Sequence, residues 1–73
     1  MAKGITLEEA REKAKSFVWQ EYGAMIGLQC SKSERRGKVF VVIVEGGLAP
    51  IDRKFKIHVD AVTGKIGFNQ EIK

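Results

Sequence analysis

The spacing of apolar residues changes character along the chain. Between Leu7 and Tyr22, residues Leu7, Ala10, Ala14, Phe17 and Val18 fall on one face when projected at about 100° per residue, with Arg11, Glu12, Lys15 and Ser16 beside or opposite them. This predicts an amphipathic helix. After Gly23 the helical period is lost, and "AMIGLQCSKSERRGKVFVVIVEGG" reads as a hairpin: a strand from about Met25 to Ser33, a polar tip at Glu34 to Gly37, and a second strand from Lys38 to Glu45. "KVFVVIVE" is β-branched and shows no alternation, which places it inside a sheet with apolar contact on both faces. "RKFKIHVD" alternates strictly, with Phe55, Ile57 and Val59 on one side and Lys54, Lys56, His58 and Asp60 on the other, as a half-buried strand does.

Local chemistry marks the ends of these elements. Thr6 with Glu9 three residues on forms a capping box, Ile5 and Ala10 occupy the staple positions, and Gly23 supplies a left-handed stop. In "GGLAP", Gly46, Gly47 and Pro50 break regular structure and give a loop longer than a tight hairpin. In "DAVTGK", Asp60 and Thr63 can accept hydrogen bonds from the turn backbone, while Gly64 provides a positive φ that reverses the chain into "KIGFNQEI". A turn so well specified fixes register, because a slip of one residue would invert which side chains face the helix. The expected fold class is α+β: one N-terminal helix packed on a four-stranded antiparallel meander, in the order α-β-β-β-β, within a single domain spanning residues 1–73.

With 73 residues there is room for one small core, expected to give no more than about 3–5 kcal/mol of net stability without help from a disulfide, metal or partner. The lone cysteine, Cys30, cannot form an intrachain disulfide, reads as a small apolar side chain, and fits a reducing, cytoplasmic setting; a module cut from a longer protein is the alternative. No apolar run is long enough for a membrane helix and the N-terminal phrase lacks the apolar centre of a secretory signal, so no membrane insertion is expected. One cysteine, one histidine and scattered carboxylates do not make a zinc or calcium spacing, and "VEGGLAP" lacks the glycine spacing and Lys-Ser/Thr of a phosphate loop. Nothing orders an acid–base pair, and His58 reads as a solvated residue of a sheet face. The expectation is no enzyme, no cofactor, no metal and no small-molecule substrate.

Two surfaces remain. A single helix covers one side of a sheet, so either Val39, Val41 and Ile43 or Phe40, Val42 and Val44 must be apolar on the other. A second copy of the same sheet is the simplest cover, which predicts a homodimer. Trp19 falls away from the centre of the helical stripe; it either lies across the helix flank or closes the sheet edge, or else anchors a protein partner. The other surface is basic, in a chain of net charge +4: Lys32, Arg35, Arg36 and Lys38 near the hairpin tip, with Arg53, Lys54 and Lys56 on the later strand. It reads as a solvated face first and as a phosphate-binding, nucleic-acid surface second, since no stacking aromatic joins those cations.

The phrases "ITLEEA" (Ile5 to Ala10 with its lead) and "VDAVTGKI" (Val59 to Ile66) resemble those of a PepSY-type domain, in which a capped helix precedes a meander closing on such a hairpin. The resemblance implies a half-cystatin-like architecture and a non-catalytic interaction or regulatory module, of a kind associated with peptidase propeptides and cell-envelope proteins.

Overall fold

Thr6 begins the helix as expected. Its Oγ1 accepts from the Glu9 amide at 3.1 Å and its own amide donates to Glu9 Oε1 at 2.8 Å, closing the capping box. Helix α1 runs Leu7–Glu21. It ends where the Tyr22 and Gly23 amides both donate to the Val18 carbonyl and Gly23 takes a φ of +112°, a conformation that side-chain-bearing residues avoid. The computed structural model describes residues 4–47 and 52–72; Leu48, Ala49 and Pro50 of the "GGLAP" loop lie outside them.

Four strands follow: β1 (Gln29–Arg36), β2 (Val39–Gly46), β3 (Arg53–Asp60) and β4 (Ile66–Ile72). They form one antiparallel sheet in the spatial order β1-β2-β3-β4, so the fold is α+β with the element order α-β-β-β-β. The first hairpin differs from its expected limits. Its leading strand starts at Gln29 and not near Met25, because Gly27 at φ +71° breaks the extended chain and lets Met25 and Leu28 fold back over Gly46. A Cβ added at Gly46 would lie 2.9 Å from Leu28 Cδ1, so the glycine is what admits them. The tip is also tighter, since Arg36 pairs with Val39 and the reversal uses Gly37 and Lys38 alone. Gly37 adopts φ +59° at the first turn position, where a two-residue hairpin of this hand needs glycine.

The turn after β3 is built from the residues that announce it. Asp60 Oδ1 accepts from the Val62 and Thr63 amides, both at 2.8 Å, Thr63 Oγ1 accepts from Lys65, and Gly64 has φ +78°. The same corner receives the start of the helix, because the Ile5 amide donates to the Ala61 carbonyl at 2.8 Å.

The core lies between α1 and one side of the sheet. Ala10, Ala14 and Val18 press on Phe40, Val42 and Val44 of β2 and on Phe55, Ile57 and Val59 of β3, all buried. Two alanines on the contact stripe let the helix approach closely, so the larger sheet residues fill the gap. Leu7, expected on the stripe, stays 37% exposed in the first turn. At the other end Tyr22 packs against Phe55 with the rings tilted at 42° and their centroids 4.6 Å apart, and donates its hydroxyl to Asn69 Oδ1 at 2.9 Å. That contact ties the helix end to β4.

Candidate functional site

Burial decides which half of β2 faces outward. Phe40, Val42 and Val44 are 0–5% exposed beneath the helix, so they belong to the core and are withdrawn from any docking surface. Val39, Val41 and Ile43 take the opposite side. Strand register then assembles their neighbours: Ile43 lies between Lys32 of β1 and Lys56 of β3, Val41 between Glu34 and His58, and Val39 between Arg36 and Asp60. Every apolar residue of β2 on this side is thus flanked across the sheet by polar side chains. Val41, between Glu34 and His58, is only 8% exposed.

The open apolar surface is displaced toward β4. Phe68 is 50% exposed and Ile72 37%; Ile72 pairs with Lys54, and Phe68 meets His58 edge to face at a centroid distance of 5.0 Å. A β-bulge puts Phe68 there. Val59 pairs with Ile66 but Ile57 pairs with Asn69, so β4 holds one residue more than β3 across this stretch. Ile66 turns to the core and Phe68 turns away from it. Plain alternation would have put the two on the same side, and neither Phe68 nor Ile72 was expected at the site. The available signal was Gly67, since a glycine inside a strand commonly marks a bulge.

His58 departs from the solvated residue expected. Its Nε2 is shut off from solvent with no hydrogen-bond partner, and burial, reinforced by Lys56 and Arg36, pushes its pKa below the ordinary value. It is the floor of a shallow hollow of about 360 Å³ bordered by Val39, Asp60 and Phe68. Asp60 is held as a carboxylate by the Thr63 and Val62 amides, which lower its pKa.

The basic residues do not form one patch. Lys32, Arg36, Lys54 and Lys56 share the uncovered face, where Arg36 pairs with Glu34 at 3.4 Å and Lys54 lies opposite Glu45. Arg35 sits on the helix side, its guanidinium 5.5 Å from the Phe40 ring centre and its Nε donating to the Gly37 carbonyl. Arg53 is also on that side, bonded to both carboxylate oxygens of Glu71 at 2.7 and 2.9 Å and lying over Phe55. Lys38 occupies the hairpin turn.

Trp19 is 53% exposed on the helix, at the rim of a groove of about 490 Å³ whose other side is Met25 and Leu28. Across that groove it faces the loop before β1. Cys30 is half-buried on the helix side, its Sγ donating to the Arg11 carbonyl at 3.4 Å, and burial raises its thiol pKa. His58 is on the other side of the sheet, so the two do not pair. Among the described residues no three histidine, cysteine or carboxylate groups converge, and no helix is long and apolar enough to cross a membrane.

Comparison with protein-family models, with curated proteins and with solved structures finds no match in any of the three.

Proposed function

We propose that this chain is a small non-enzymatic protein–protein interaction module whose working surface is the sheet face opposite α1. One observation carries the proposal: apolar positions on that face, Val39, Val41 and Ile43, run out to the exposed Phe68 and Ile72 and are framed by Lys32, Lys54 and Lys56. A surface of this chemistry suits a protein segment with an apolar centre and carboxylate flanks, because buried aliphatic contact gives affinity and the lysines select orientation. The resemblance to PepSY-type domains supports the same class of role, and extends it to regulation of a peptidase or envelope partner.

Nucleic-acid binding is the weaker reading. The separation of Arg35 and Arg53 from the other cations, and the engagement of Arg36 and Arg53 with carboxylates, leave few charges to follow a phosphate backbone.

The test is a titration of isotope-labelled protein with a peptide that has a Leu-Val centre and glutamates at both ends, followed by amide and methyl shifts. Shifts concentrated at Val39, Val41, Ile43, Lys56 and Phe68, and abolished by Ile43→Lys, are expected. Shifts confined to the Trp19 groove would reject the face. A single-stranded oligonucleotide that perturbs Arg35, Arg36 and Lys38 and is displaced by salt would favour the nucleic-acid reading instead.

A further inference from the structure

The two edges of the sheet are built differently. β1 carries Lys32, Glu34 and Arg36 on the uncovered face and Arg35 on the helix side, and an extra residue between Cys30 and Lys32 disrupts its pairing with β2. Inward and outward charges with a bulge are the devices that discourage an edge strand from pairing with another chain. β4 has a bulge near its start but none of the cations. "IGFNQEI" contains no lysine, arginine or proline, its one charge, Glu71, is engaged by Arg53 of β3, and among the described residues no strand lies beyond it. Two of the exposed large apolar side chains, Phe68 and Ile72, are on this strand.

We propose that β4 is a self-pairing edge: two copies join antiparallel along it, with Gln70 on the two-fold axis and Phe68 set against the partner's Ile72. This assigns to the β4 margin of the face described above, paired along the strand edge, a second copy of the chain as its occupant. The register follows from the residues themselves. An axis at Gln70 pairs Phe68 with Ile72 and Asn69 with Glu71, so each apolar side chain meets another and the carboxylate meets an amide. Moving the axis to Glu71 opposes two carboxylates, and moving it to Asn69 sets Ile72 against Ile66, whose side chain is committed to the core. Both alternatives lose the match. Phe68 and Ile72 point to the same side of the sheet, and a two-fold axis normal to the sheet keeps that side common to both copies, so directly opposed Cβ atoms approach to about 5 Å. Gly67 sets the near limit of the pairing, because its carbonyl already accepts from Asn69 Nδ2 at 3.1 Å.

Such a pairing is tested with Gln70→Cys in a Cys30→Ser background. Mild oxidation is expected to give a disulfide-linked dimer, since residue 70 faces its own copy, while Glu34→Cys on the opposite edge in the same background stays monomeric. By light scattering, Phe68→Lys combined with Ile72→Lys is expected to halve the mass, with circular dichroism reporting that the fold is kept. A monomeric parent at its highest soluble concentration, or equal cross-linking through Glu34→Cys, would overturn the proposal. Ile43→Lys separates it from the face reading. Cross-linking through Gln70→Cys that survives Ile43→Lys supports the edge whatever the peptide titration shows, whereas cross-linking lost with Ile43→Lys but kept with the double lysine variant would refute it.

Discussion

Val42 and Ile43 are chain neighbours that face opposite sides of one strand, and their truncation measures how differently the two sides are covered. Val42 is fully buried beneath α1, while Ile43 is partly open between Lys32 and Lys56. Val42→Ala removes two carbons, about 1.6 kcal/mol of transfer free energy at roughly 0.8 kcal/mol per carbon. The hole left under a helix already resting on Ala10 and Ala14 cannot close by further approach, and brings the cost to about 2.5 kcal/mol. Ile43→Ala removes three carbons from a site in partial contact with water, for a cost of about 1 kcal/mol. Both substitutions lose the same β-branched preference for the strand, so the difference between them isolates burial. Against a total of about 3–5 kcal/mol for a core of this size, the valine change removes half of the stability or more and the isoleucine change a third or less. Urea unfolding followed by circular dichroism at low protein concentration reads both, provided the m-value is unchanged. A cost for Ile43→Ala equal to or above that for Val42→Ala would refute a sheet roofed on the Val42 side.

The remaining predictions concern the helix start, the corner it docks on and the histidine. Thr6→Ala breaks the capping box and is expected to lower stability by about 1 kcal/mol, measured by the same unfolding experiment, with Thr6→Ser restoring it. Gly4→Ala drives a Cβ into the Ala61 carbonyl that receives the Ile5 amide, and is expected to cost about 1–3 kcal/mol and to weaken the amide-exchange protection of Ile5. His58 is held below its ordinary value of 6.5, chiefly by burial. The unfolded chain therefore takes up a proton at higher pH than the fold does; stability is full above about 6.5 and declines as pH falls through the folded value. His58→Gln is expected to flatten that decline without altering the separate loss at lower pH, below the ordinary 3.8 of a carboxylate, to which Asp60 contributes. An unchanged slope in His58→Gln would assign the decline to another group.

What could be read in the sequence was whatever local chemistry determines. Thr6 with Glu9, Gly23, the alternation of Arg53 to Asp60 and the Asp60–Gly64 turn each state their geometry within a few residues, and the structure shows them so. Two kinds of information were hidden. Met25 and Leu28 have strand-like composition, but their role is to fold over Gly46, and a contact so distant in sequence leaves no periodic trace. The bulge in β4 shifts the phase of alternation by one residue, which hides Phe68 and Ile72, while Arg35 parts from Lys32 and Arg36 by plain alternation once β1 extends to Arg36. The lack of alternation in "KVFVVIVE" correctly marked an interior strand but, for the same reason, could not say which half of it the helix covers.

The proposed division is that a protein segment docks on the side of the sheet that the helix leaves uncovered while a second copy pairs along the β4 edge. Methyl spectra of isoleucine- and valine-labelled protein across a concentration series test it most directly. Concentration-dependent shifts at Ile72, and shifts at Ile43 and Val39 on addition of the acidic peptide, with Val18, Val42, Val44 and Val59 unmoved, are the predicted result. Shifts that begin at Val18 and Val42, or none at any concentration or on addition of the acidic peptide, would contradict it.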